Sequence, residues 1–418
     1  MRGKHIMIKK IPYCFRDVHE DYLVLQSLQK FCSANGIKTN DDKFRLINNI
    51  LNFANSNEDN ERKTLEWFDS TLKEGVKKLI VTKIQGYSDL KDKSKPEWIK
   101  LIKKGFSINE SKYILTSKHE AFMKLCSYSF SETEEKINKV SLTFTKCLKE
   151  KKERGGNYST IIYPVFVDIY LDKGYMVGRA KSKSSIFNYD AVTIKTQNTQ
   201  DDEDLYYKRT DCDKLILEAF NKIIAAFDIS KESMEVQMHN FKSSIHKIVE
   251  ECTQTPIEIN NKLNAEYENR EKFIRDFFNK YSIDFNENEN YLNAQEDLKI
   301  FMEKYLSITC KDKKIFTEDR YGYPTKLAAT DTDFSSIEET SINDNPLQCT
   351  PIFFDNKKLI HKQKKCDNMI FIFKRKPEKY FTANKYEVFF AVKKGALHIA
   401  FRKYTLEEDI QNVLSRII

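Results

Sequence analysis

At Tyr158 the spacing of apolar residues in this 418-residue chain changes from helical to strand-like, and neither an all-helical nor an all-sheet fold accommodates that change. Upstream, His19 to Ala34 carries Tyr22, Leu23, Leu25, Leu28, Phe31 and Cys32 and stops at Gly36. Asp41 to Ala54 carries Phe44, Ile47, Ile50, Leu51 and Phe53, and Glu61 to Val81 carries Leu65, Phe68, Leu72, Val76, Leu79 and Ile80. Spacings of mostly three and four residues predict three helices, each with one apolar face. Ser107-Ile108-Asn109-Glu110 and Ser131-Glu132-Thr133-Glu134 are capping-box patterns that predict two more helices, the second running towards Arg154 and broken at Gly155-Gly156-Asn157. Downstream, Thr160 to Leu171 is rich in Ile, Val, Tyr and Phe. The turn signal Asp172-Lys173-Gly174 and the short run Tyr175 to Arg179 complete a predicted hairpin.

The helical period returns over Asp211 to Phe227 and Lys231 to Cys252. Thr255-Pro256-Ile257-Glu258 places Pro at a helix start, predicting a helix to about Lys280. Asn293 to Leu306 follows. Residues 329–348 read as a polar loop. Met369 to Phe373, Tyr386 to Val392 and Ala396 to Phe401 then read as a meander, turned at Lys393-Lys394-Gly395, and Thr405-Leu406-Glu407-Glu408 opens a last helix. The fold class expected is α+β. A helical basic domain (1–156) is followed by a β-hairpin region (157–210), an acidic helical hairpin or bundle (211–328), and a loop leading into a basic β-meander and terminal helix (329–418). The two hairpins share Val/Phe-rich strands ending in Lys-Gly. That likeness suggests that both join one sheet, with the acidic helices inserted between them in sequence.

Charge follows the same divisions. Residues 1–200 hold 36 Lys/Arg against 24 Asp/Glu, residues 201–350 hold 19 against 31, and residues 351–418 hold 15 against 7. The net +8 therefore conceals a basic–acidic–basic order. Basic surfaces concentrate polyanions by releasing counterions. Three clusters interleave cations with aromatics: Arg179, Lys181 and Lys183 before Phe187 and Tyr189; Lys374, Arg375, Lys376 and Lys379 among Phe371, Phe373, Tyr380 and Phe381; and Lys393, Lys394, Arg402 and Lys403 beside Tyr404. Such cations can neutralise phosphates, and exposed rings can stack on unpaired bases. The competing structural reading is a half-buried sheet with aromatics inward and charges in water.

Other chemistries lack their residues. No Walker A or Gly-x-Gly-x-x-Gly pattern is present. Asp284 to Asn290 starts like a calcium loop but has Glu289 where Gly is needed and Gln295 where Glu is needed. A metal nuclease on the hairpin could use Asp168 and Asp172, but the acidic-x-Lys expected on the next strand reads Arg179-Ala180-Lys181, and Arg does not ligate a metal. Asp331-Thr332-Asp333 reads as a solvated pair of carboxylates. His239 and His246 lie two helical turns apart, about 10 Å along the axis, too far to hold one ion between them. The nine Cys form no Cys-x-x-Cys and read as reduced, small buried side chains. No stretch approaches the ~18 apolar residues of a membrane span, and the basic start lacks the apolar core of a secretory signal.

The expectation is a cytoplasmic nucleic-acid-binding protein that grips DNA or RNA mainly through its backbone, with no membrane contact, no metal and no cofactor. An effector protein or self-association would use the acidic helices. The Lys-, Asn- and Ile-rich composition is common among bacterial accessory and phage-defence genes. Alternatives are a divergent metal-dependent nuclease or hydrolase and a helical oligomerising adaptor.

Overall fold

A computed structural model describes residues 8, 10–17, 22–106, 108, 112–133, 136–152, 157–195, 203–284, 288–330 and 336–418. Its strands are β1 (Lys77–Gln85), β2 (Lys124–Thr133), β3 (Lys136–Glu150), β4 (Ser159–Tyr170), β5 (Tyr175–Lys181), β6 (Ile186–Lys195), β7 (Glu203–Thr210), β8 (Ser230–Lys231), β9 (Gly322–Thr330), β10 (Ser336–Thr340), β11 (Asn368–Lys374), β12 (Lys385–Lys393) and β13 (Ala396–Phe401). They form one sheet in the order β10-β9-β11-β12-β13-β1-β5-β4-β3-β6-β7, with β2 on β3 and β8 on β1. The pairings among the described residues are antiparallel.

The expected α+β class is what the chain adopts, with a helix-rich start and hairpins in the middle and at the C-terminus. Both hairpins belong to the one sheet, and β1 sits between their second strands, β13 and β5. The Lys393-Lys394-Gly395 turn is as read from the sequence. Lys394 (φ 50°) and Gly395 (φ 72°) are both left-handed, the backbone that lets two residues join twisted strands. The acidic segment between the hairpins is helical: Cys212–Phe227, Met234–Cys252, Ile257–Ala265, Tyr267–Tyr281 and Asn288–Thr309. The helix expected to run unbroken to Lys280 is interrupted at Glu266.

Three expectations change. The predicted helix Glu61–Val81 ends at Thr71, and Leu79 and Ile80 lie in β1. Leu79 and Val81 enter a core with the helix Met234–Cys252 and the terminal helix Glu407–Ile417, whereas Ile80 and Ile84 enter a core with Cys212–Phe227. A strand covered on both faces carries a continuous apolar run with no alternation to betray it. Ser131-Glu132-Thr133 closes β2 instead of opening a helix, and residues 136–150 form β3. There Val140, Leu142 and Phe144 are buried at strand spacing. Within the expected loop 329–348, Ser336–Thr340 forms β10 by pairing with β9. The Gly155-Gly156 break, most of Ser107–Glu110 and Asp331-Thr332-Asp333 lie outside the described residues.

None of the nine cysteines is in a disulfide, and six of them are buried. Among the described residues, no helix is long and apolar enough to cross a membrane.

Candidate nucleic-acid interface

The three basic clusters occupy three different environments. The first is interior and does not form the expected phosphate-contacting surface. β5 is a central strand with both faces covered, so its cations point into protein. Arg179 is 1% exposed. Its guanidinium donates to Asp168 Oδ2 at 3.1 Å and to Glu407. Ser141 Oγ donates to the other Asp168 oxygen at 2.5 Å. Burial pushes the Asp168 carboxyl up, but the Arg179 guanidinium, assisted by Lys73 and Lys139, outweighs it and holds the group below the usual carboxylate range. That carboxylate, one of the two candidate ligands of the nuclease alternative, is thus engaged by Arg179.

Lys181 is buried as well, its ammonium 4.5 Å from the centre of the Tyr22 ring. Directly across the ladder, Lys77 of β1 sits 4.9 Å from the same ring. Lys77 is 1% exposed and forms no ion pair among the described residues. Burial, with Lys181 and Arg179 adding repulsion, lowers its pKa well below that of an ordinary lysine. Lys183 is spent on Glu150 at 2.5 Å, with both side chains almost fully buried.

A hydrogen-bonded chain continues from Arg179 through Glu407 to Glu74. Glu74 accepts from Tyr404 Oη at 3.1 Å, and that hydroxyl lies 2.9 Å from Ser27 Oγ. The network ties the N-terminal helices, the central hairpin and the C-terminal segment together. Its members are more than 300 residues apart in sequence at the extremes, so no local motif announces it.

The second cluster lies at one end of the β11–β12 hairpin. Lys374 and Lys385 are cross-strand partners, a like-charge pair that costs stability in the absence of an anion. The loop between them is closed by Arg375 N–H donating to the Asn384 carbonyl at 2.8 Å and Glu378 N–H to the Phe381 carbonyl at 2.9 Å. Lys30 reaches Glu378 at 2.7 Å, and Phe381 stacks on Tyr404 with ring centres 5.4 Å apart. Arg375 is withdrawn from this surface. Its side chain is 8% exposed and pairs with Asp409 at 2.7 Å. Lys374 donates to the Thr317 carbonyl. Lys376, Lys379, Lys385 and Lys403 are exposed and form no ion pair among the described residues.

The third cluster is divided. β12 and β13 pair from Val388↔Phe401 to Lys393↔Ala396. Arg402 and Lys403 therefore join the Lys374–Lys385 end, where Arg402 pairs with Glu387 at 3.0 Å. Lys393 and Lys394 are exposed at the opposite end, a strand length of about 26 Å away at ~3.3 Å per residue. The second and third clusters thus form one basic end and a separate two-lysine turn.

The histidine pairing was not legible in the sequence. His246 does not meet His239 but packs edge-to-face against His361 of the helix Pro351–Gln363, with ring centres 6.1 Å apart. Among the described residues, no three His, Cys, Asp or Glu side chains are grouped to hold a metal ion. No protein-family model, curated protein or solved structure matches this chain.

Proposed function

We propose that this chain binds nucleic acid through the end of the sheet formed by the β11–β12 hairpin and the segment after β13, by phosphate contacts without base readout. The observation that carries the proposal is the set of four exposed lysines, Lys376, Lys379, Lys385 and Lys403, that form no ion pair among the described residues and include one member of the like-charged Lys374–Lys385 pair. Cations spaced along a strand end can follow a phosphate backbone, and Tyr380, beside Lys379, offers a ring for stacking. In a defence setting the polyanion would be invading nucleic acid, and a partner protein would do the chemistry.

With duplex DNA in fluorescence anisotropy, four phosphate contacts should give a slope of log affinity against log salt of about −3.6. Lys376→Glu/Lys385→Glu/Lys403→Glu should remove most of that slope, while Lys393→Glu/Lys394→Glu leaves it unchanged. Arg375 stays intact in this test, because its removal would strand Asp409. Salt-independent binding, or equal loss from the two charge reversals, would sink the assignment.

The adaptor alternative is supported by a separate feature. On the helix Tyr267–Tyr281, Phe273, Phe277 and Tyr281 are exposed four residues apart, with Phe277 and Tyr281 ring centres 4.9 Å apart. Exposed apolar patches of this kind mark interaction surfaces. A concentration-dependent dimer in sedimentation velocity that Phe273→Ser/Phe277→Ser renders monomeric is the expected result. A wild-type chain that stays monomeric at high concentration would eliminate this face as a self-association site.

A further inference from the structure

We propose that the cavity between the helices Lys95–Gly105 and Cys212–Phe227 and the start of β2 binds a phosphomonoester carried on a body with a planar aromatic ring, the chemistry of a nucleoside monophosphate. The cavity measures about 650 Å³, within the ~300–1,000 Å³ of small-molecule sites. Its back wall exists because the two helices touch at Gly105. A Cβ there would lie 2.6 Å from the Ala226 Cβ, so only glycine lets the helices approach this closely. The floor is apolar, from Phe106, Met123, Leu125 and Phe227. At the rim, the Phe122 ring is 59% exposed, an open aromatic face beside an apolar hollow.

Charge selects the other half of the ligand. Lys104, Lys124 and Lys222 line the cavity, one from each of the three elements around it, and none forms an ion pair among the described residues. Among the described residues the one carboxylate in the lining is Asp228, so three cations and one anion leave a formal surplus of two positive charges. A phosphomonoester carries about −1.5 to −2 at neutral pH and matches that surplus, whereas a single carboxylate does not. An acyl chain would need apolar walls all round, but here lysines occupy part of the lining. A planar ring needs one aromatic face, which Phe122 supplies. No residue of this cavity belongs to the basic hairpin end, so the inference stands independently of the proposed function.

The test is isothermal titration of the full chain with adenosine 5′-monophosphate, uridine 5′-monophosphate, adenosine, inorganic phosphate and oleate. Both nucleotides should bind, and adenosine and inorganic phosphate should each bind at least roughly tenfold more weakly, since each lacks one half of the recognised chemistry. Lys104→Glu/Lys222→Glu should weaken nucleotide binding by roughly tenfold or more per lysine, as expected for lost charge-assisted hydrogen bonds. Phe122→Ala should weaken it about tenfold through lost stacking. If the lysine variant alters the circular dichroism spectrum, Phe122→Ala decides, because that ring is largely exposed. The Lys376→Glu/Lys385→Glu/Lys403→Glu variant should bind the nucleotides unchanged, and a loss there would relocate them to the basic end and overturn the assignment. Absence of nucleotide binding at millimolar concentration, nucleotide binding no tighter than inorganic phosphate, or displacement of the nucleotides by oleate would also overturn it.

Discussion

Replacing Arg179 with Met should cost about 3–5 kcal/mol of stability, the usual consequence of removing one partner from a buried ion pair. Among the described residues the guanidinium alone bridges Asp168 and Glu407, and without it the Asp168 carboxylate remains inside the protein with Ser141 as its one remaining hydrogen-bond donor. The measurement is chemical denaturation, read as a lower midpoint at constant slope. Adding Asp168→Asn and Glu407→Gln to the Arg179→Met chain should recover part of the loss, because neutral amides leave no buried charge to compensate. A loss that the added substitutions deepen would point to packing in place of electrostatics.

The pH dependence has a defined sign. Asp168 is held below its ordinary value in the folded state, so the stability it contributes is fully present above its unfolded value, ~3.9, and is lost as pH falls through the lower folded value. Wild-type protein should lose stability below about pH 4 in a step that the Arg179→Met chain lacks. Nucleic-acid affinity of the folded variant should be unchanged, since Arg179 reaches no surface.

The same residue shows where the sequence stops being informative. Arg179, Lys181 and Lys183 alternate along a strand with a basic end, which is also how a solvent-facing row of phosphate contacts would read. What decides between the two is whether anything covers that face, and the covering groups come from far away. Glu407 opens the terminal helix, and Tyr22 lies in the first segment. The strands and turns of both hairpins were legible because turn chemistry is local: Lys394 and Gly395 need left-handed backbone, and Lys-Lys-Gly between two Val/Phe runs declares it. β1 was not legible, since Leu79-Ile80-Val81 is buried on both faces and continues the apolar spacing of the helix before it. β2 and β3 carried a readable signal in the alternation of Val140, Leu142 and Phe144, but the capping-box residues at 131–134 competed with it. The end of β2 has the same small polar and acidic residues for a different reason: it faces water at a hairpin. At the basic end, the sequence supplied Lys376 and Lys403 but not Lys385, which becomes part of the cluster only through its register opposite Lys374.

Lys77 yields the opposite result from Arg179, and the contrast follows from pairing. Both are cations buried to the same extent in adjacent central strands. Arg179 has two carboxylates. Lys77 has the Tyr22 ring, a facing lysine and no carboxylate in ion-pair contact among the described residues. Its interior position is therefore a net cost while it carries charge, and Lys77→Met, similar in length and apolar, should stabilise the protein at neutral pH by about 1–3 kcal/mol. The folded-state pKa of Lys77 lies well below the ordinary lysine value, chiefly through burial, so across the interval between them the unfolded chain binds the extra proton. Stability due to this group consequently rises with pH through that interval and levels off above ~10.4. The advantage of the Met variant should then shrink steadily as pH is raised towards 10, which denaturant midpoints of the two proteins measured in parallel would record. A destabilised Met variant, or a difference that stays constant with pH, would mean that the Lys77 charge is compensated in the fold, and the central strands would then hold a balanced ionic core instead of an unpaired cation.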